Sequence, residues 1–258
     1  MVDFSSSPSI DEISHRCFID VELKDVIVIR KKDAIVTNGT TGLTCWRASA
    51  ILAEYIRLFC DFTDKNLLEL GSGCGLSGIA ATKYHNLQSS CLTDGNDYVL
   101  DQLKENVDIN FPQENYISVR KLDWNINYKN QIPILPDIII GADLIYDVEV
   151  FTGLCQTLKN FLETPNSYAI LAQNIRNRDT LDSFLNKELT KQGLKYKRIA
   201  RVLLHKSGHG ICFEKENGNT VDCLNEVFCS NYSFDYKSKI GNEVLLAEIF
   251  EIRMNINI

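Results

Sequence analysis

The chain has 258 residues, 45% of them hydrophobic, and a formal net charge of −7 at pH 7. That is enough apolar material for a globular core, and the acidity argues against a protein built around nucleic-acid phosphates. No apolar run reaches the ~20 residues that cross a bilayer, the polar start MVDFSSSPSIDEISHR lacks the apolar centre of a signal peptide, and neither the nine cysteines nor the four histidines show metal-ligand spacing; the expectation is a cytoplasmic protein with reduced thiols, no metal and no membrane partner.

Residues 1–16 are serine-rich and polar, the composition of a frayed terminus. In VELKDVIVIRKKDAIVTNGTTG two β-branched runs flank RKKD, which predicts a β-hairpin turning at residues 30–33. Residues 1–37 are thereby set apart, as tail and hairpin, from a domain spanning 38–258. Trp46, Ala50, Ala53, Ile56 and Cys60 recur at helical spacing behind Thr44, a candidate N-cap.

From there the chain alternates: strand NLLEL, helix GLSGIAATKYH, strand SSCLTD, helix DYVLDQLKENVDIN, strand ISVRKLD, strand PDIIIGAD, helix EVFTGLCQTLKNFL, strand YAILAQ and helix TLDSFLNKEL. The strands are continuous apolar runs, as when helices cover both faces of a parallel sheet. YKRIARVLLH and EVLLAEIFEIR have no helix between them and are expected to pair antiparallel at one edge. The fold class is α/β, a doubly wound, mostly parallel sheet with an antiparallel edge strand and an N-terminal β-hairpin, and its ligand would sit outside the carboxyl ends of the strands.

The first strand runs into LLELGSGCGLSG, which supports two readings. Gly73 to Gly78 satisfies GxGxxG with Asp94 about 20 residues on, a dinucleotide fingerprint. Glu69 followed by Gly71, Ser72, Gly73 and Gly75 is also the acidic GxGxG turn by which S-adenosylmethionine-dependent methyltransferases open their first strand-turn-helix unit. Position favours the second: Gly71 and Ser72 intervene before the GxGxxG, and the Glu69 carboxylate suits a ligand ammonium and repels a diphosphate.

Asp94 ends the second strand, where one carboxylate can accept from both hydroxyls of a ribose; its alternative role as helix N-cap is open to Asn96 or Asp97. Trp124, after the third strand, is placed to pack on a purine face. Ala142 and Asp143 end the fourth strand at the switch point of the sheet, and Tyr146 lies one helical turn further, so both Asp143 and Tyr146 can border one pocket; Asp147 is the better-placed cap for the helix that follows.

Trp46, the Glu69-to-Gly73 turn, Asp94, Trp124 and the Asp143-to-Tyr146 D-x-x-Y together resemble the seven-β-strand protein-lysine methyltransferases of the methyltransferase-like 21 group, over about residues 38–200. GTTGLTCWRASAILAEY, LELGSGCGLSG, KLDWN and IRN look most like the elongation factor 2 lysine methyltransferases of that group, whereas LTDGN is reminiscent of calmodulin-lysine methyltransferase. The resemblance implies a class I, Rossmann-like seven-stranded fold, S-adenosyl-L-methionine as cofactor, a protein substrate and a monomer. It also implies methyl transfer to a lysine ε-amine, with Asp143 and Tyr146 on the catalytic side and Trp46, Glu69, Gly71, Ser72, Gly73, Asp94, Trp124 and Ala142 on the cofactor side.

The rival readings are a nicotinamide oxidoreductase, which leaves Trp124 and the D-x-x-Y unexplained, a small-molecule methyltransferase with the same cofactor site, and a non-catalytic binding module. A nucleic-acid methyltransferase would place prolines where this chain has Asp143-Leu144-Ile145-Tyr146. KELTKQGLKYKRIARVLLHK, seven Lys/Arg in twenty residues, reads as a solvated face or as a dock for an acidic partner. Residues 207–242 resist assignment and could form a substrate-facing insertion.

Overall fold

The computed structural model describes residues 13–21, 25–32, 36, 39–126, 131–132, 135–205, 210–223, 227–229, 239–240 and 243–255. The N-terminal hairpin pairs β1 (Ile13–Asp20) with β2 (Asp25–Lys32) along their whole lengths, Asp20 opposite Asp25. The two strands therefore reverse between Asp20 and Asp25, not at RKKD, and residues 13–16 belong to a strand and not to a frayed end.

RKKD reads as a turn because it is polar, yet Arg30 is an ordinary strand residue whose guanidinium pairs with Glu105. At Val28 and Arg30 the outer edge of β2 is satisfied by side chains. On α3 (Asp97–Asn110), Asn106 and Asn110 each accept from and donate to one β2 residue, Arg30 and Val28 respectively. Four helical residues advance ~6 Å and two strand residues ~6.6 Å, so i,i+4 amides match i,i+2 backbone groups.

The helix behind the hairpin, α1 (Arg47–Phe59), starts at Trp46; Thr44 does not cap it, its hydroxyl instead donating to the Lys32 carbonyl. Next come β3 (Asn66–Leu70), α2 (Leu76–Tyr84), β4 (Ser89–Asp94), α3, β5 (Ile117–Lys121) and β6 (Ile138–Ala142). A single turn at Val148–Val150 leads into α4 (Phe151–Phe161), then β7 (Tyr168–Asn174). The TLDSFLNKEL helix is α5 (Arg178–Ser183), a π-helical stretch Phe184–Glu188 and α6 (Leu189–Lys191). Last come β8 (Leu194–Leu204), β9 (Ile211–Lys215), β10 (Thr220–Cys223), β11 (Lys239–Ile240) and β12 (Glu243–Met254).

The main sheet runs β10-β9-β8-β12-β7-β6-β3-β4-β5, with β11 on β12. The five strands from β5 to β7 are mutually parallel, and β12 lies antiparallel between β7 and β8, giving the seven-stranded core. The antiparallel edge is larger than one strand, because β9 and β10 extend it beyond β8. Sequence order reverses at β3, which pairs with β4 on one side and β6 on the other. That reversal opens the crevice outside the carboxyl ends of β3 and β6.

One core packs α1, α2 and α3 on one face of the sheet, with Ile51, Ile56, Ile79 and Leu103 all fully buried. The other face is covered by α4 and the α5 region through Leu154, Leu158, Phe161 and Phe184. Four of the seven basic residues in the tract from Lys187 to Lys206 form ion pairs within the fold: Lys191 with Glu188, Lys197 with Glu216, Arg198 with Glu248 and Arg201 with Glu214. Among the described residues no helix is long and apolar enough to cross a membrane.

Candidate functional site

A cavity of about 320 Å³ occupies the crevice at the sheet's switch point. Trp46, Glu69, Gly71, Ser72, Gly73, Asp94, Trp124, Ala142, Asp143 and Tyr146, the ten candidate residues, all line it. They arrive from five places: the entry to α1, the β3–α2 turn, the end of β4, the loop after β5 and the end of β6.

The glycine turn is stitched to the end of β4. Ser72 N donates to the Thr93 carbonyl at 2.8 Å, and Thr93 N returns a bond to Ser72 Oγ at 3.0 Å. Asp94 accepts from Gly73 N at 3.2 Å and from Asn96 N at 3.0 Å. Asn96, not Asp94, caps α3, accepting from the Tyr98 and Val99 amides. Gly71 has φ +56°, and a Cβ there would meet Leu144 Cδ2 at 2.7 Å, with the Trp124 ring 3.5 Å away. Glycine takes that conformation without strain and leaves room for Leu144.

Glu69 is buried, and burial pushes its carboxyl up to about 7 against the pull of hydrogen bonds from Ser77 and the Gly78 amide. One oxygen accepts from Ser77 Oγ and Gly78 N, while the other, Oε2, has no hydrogen-bond partner. Burial also raises the Asp94 carboxyl. Two carboxylates facing one cavity oppose a diphosphate. An unmatched buried acceptor on Glu69 and a second carboxylate at the end of β4 suit a ligand that carries an ammonium and vicinal hydroxyls, so the residues present fit S-adenosylmethionine.

Asp143 lies in the left-handed region, φ +61°, and the chain from Asp143 to Asp147 is not helical. Tyr146 reaches the cavity from an extended turn, and Asp147 caps the next helical turn by accepting from Glu149 N. Both Asp143 oxygens are fully engaged. Oδ1 accepts from Gln173 Nε2 and Arg176 Nη1, each at 2.9 Å, and Oδ2 accepts from Asn174 Nδ2 at 2.9 Å and Arg176 Nη2 at 2.5 Å. The Arg176 guanidinium lies over Trp46, 5.1 Å from the ring centroid, and the Trp46 indole donates to the Thr41 carbonyl at 3.0 Å.

Arg176, Gln173 and Asn174 hold the Asp143 carboxylate, and none of them is a candidate on sequence grounds. Of the three only Arg176 falls within a motif of the family resemblance, IRN; Gln173 closes the apolar strand YAILAQ, and Asn174 follows it. The described parts of 207–242 contribute nothing to the cavity wall. Instead, Glu54 in the middle of α1 accepts from the Val227 and Phe228 amides, and Phe213 packs on Tyr55 and Phe59.

This geometry, a switch-point cavity with an acidic glycine turn and an aspartate-tyrosine pair, coincides with a match to the lysine methyltransferase family over residues 27–191. The chain belongs to the lysine methyltransferase family. Within 188 residues it is 33% identical to protein-lysine N-methyltransferase EEF2KMT of Mus musculus, a match over 67% of this chain and 56% of that protein. It is 29% identical over 160 residues to calmodulin-lysine N-methyltransferase of Arabidopsis thaliana, over 60% and 52% of the two chains. The chain thus spans about half the length of these relatives. A solved structure, M. jannaschii TYW2 in complex with AdoMet, shares the fold at TM-score 0.50 and 11% identity, over 95% of this chain and 73% of that one.

Proposed function

We propose that this family member transfers a methyl group from S-adenosylmethionine to a lysine ε-amine of a protein, with elongation factor 2 as the first candidate substrate, in the cytoplasm and as a monomer. The observation that carries the reading is the single cavity joining the Glu69 and Asp94 carboxylates to the Asp143–Tyr146 pair. The relatives named for elongation factor 2 and calmodulin methylation supply the substrate candidates, and the AdoMet complex of a protein of the same fold supports the cofactor.

Glu69 is assigned to the ammonium end of the cofactor, Asp94 to its ribose hydroxyls and Trp124 to its adenine face. Trp46, Gly71, Ser72, Gly73 and Ala142 shape the wall between them. The cofactor supplies a methyl group already activated on a sulfonium, so the protein's task is alignment and exclusion of water. A lysine amine has a reference pKa of ~10.4 and must lose a proton before attack. Asp143 orients the acceptor side. The proton leaves to water.

The test is transfer of labelled methyl to purified, unmodified elongation factor 2, with calmodulin and a whole-cell extract in parallel. Label on elongation factor 2 that falls at least ~100-fold in Asp143→Ala, with cofactor affinity kept, is the expected result. Label confined to calmodulin or another band keeps the reaction and replaces the substrate. Cofactor binding without transfer to any protein points to a small-molecule acceptor.

A further inference from the structure

Arg176 does more than neutralise a buried aspartate. Its side chain is 46% exposed while that of Asp143 is 3% exposed, so the guanidinium comes from the solvent side and covers the carboxylate like a cap. It touches two walls of the main cavity, Asp143 and Trp46, yet itself lines a separate groove of about 60 Å³ with Tyr146, Asn174, Asn177 and Thr180. Tyr146 borders both spaces. Arg176 therefore stands on the partition between groove and cavity.

We propose that Arg176 is a displaceable stopper that keeps the place of the acceptor's cation on Asp143, and that the acceptor lysine enters through the Tyr146–Asn174–Asn177–Thr180 groove and takes that place. The inference rests on the methyltransferase reading above. A buried carboxylate stripped of its partner is strongly unfavourable, so the guanidinium leaves only when another cation arrives. The exchange selects a long, flexible, positively charged side chain and keeps the partition closed to neutral ones. The exposure of Arg176 allows the exchange, since a half-exposed guanidinium regains water when it swings out. A fixed anchor makes the opposite forecast: removing it would disorder Asp143 and weaken acceptor binding.

The test reads binding, not turnover. Affinity for S-adenosylhomocysteine is first measured by calorimetry on the unaltered chain; no binding there defeats the methyltransferase reading itself. In the complex, Nα-acetyl-lysine amide is titrated while the indole N–H resonances are followed, the chain's two tryptophans being told apart with a Trp124→Phe sample. The Trp46 signal is expected to move as the guanidinium leaves. Arg176→Ala is expected to bind the probe about tenfold more tightly, the scale of one charge-assisted hydrogen bond, and Nα-acetyl-norleucine amide to gain nothing.

Unchanged or weaker lysine-amide binding in Arg176→Ala, with S-adenosylhomocysteine affinity intact, overturns the stopper. If that variant does not fold, the unaltered chain decides, because a Trp46 resonance that stays still at saturating probe overturns it equally.

Discussion

Glu69 shows how one side chain can be costly to the fold and useful to the ligand. Burial raises its carboxyl from 4.5 to about 7, so the native state holds a proton there that the unfolded chain releases. The sign follows: this group favours the native state below about pH 4.5, and that advantage is lost as pH rises towards 7. The loss is up to about 3 kcal/mol. Glu69→Gln, which keeps an acceptor for Ser77 and Gly78, should lack it. Urea unfolding at pH 5 and pH 8 is expected to show the variant gaining on the unaltered chain by about that amount; parallel curves would mean that the carboxyl is ionised throughout. The acidic turn was legible because Glu69 interrupts an apolar strand directly before glycines. Arg176 was not, because an isolated arginine in a loop has no periodicity to mark it.

At the scale of elements, the sequence was readable wherever period and punctuation agreed. Strand SSCLTD and helix DYVLDQLKENVDIN coincide with β4 and α3 residue for residue, since Asp94-Gly95-Asn96 separates a β-branched run from a stripe of Val99, Leu103 and Val107. The hairpin was misplaced because β2 gets its outer hydrogen bonds at Val28 and Arg30 from side chains, which no strand pattern records. Asn110 serves the hairpin and the helix, whereas Asn106 also donates to the Cys74 carbonyl in the glycine turn at 2.9 Å. Each Asn→Ala change leaves two β2 backbone groups without their partner, at about 1–3 kcal/mol, and should speed amide exchange across residues 25–32. Only Asn106→Ala is expected to weaken S-adenosylhomocysteine binding, by several-fold in calorimetry. Equal affinity in both variants would show that the turn holds its shape without the hairpin.

Across the whole molecule, α1 has a functional end and a structural end. Trp46 at its start borders the cavity, while Glu54, fully buried, holds Arg57 and the Val227 and Phe228 amides. Phe228 packs on Phe18 of β1 at 5.3 Å and Tyr84 of α2 at 6.0 Å between ring centroids, and the Tyr84 hydroxyl donates to Asp20. Hairpin, α1, α2 and the segment after β10 therefore meet in one knot on the side of α1 away from the ligand. The described parts of 207–242 were unreadable because their packing is long-range: Phe213 and Phe228 have no local stripe to join, only partners far back in the chain. A knot that supports the fold without touching the cavity should separate stability from binding. Phe228→Ala is expected to lower the free energy of unfolding by about 3–5 kcal/mol, with S-adenosylhomocysteine affinity changed by less than about twofold for protein that remains folded. Urea titration and calorimetry on the same preparation decide it. If affinity falls in step with stability, the two ends of α1 act as one unit, and the insertion helps to shape the cavity through the helix it grips.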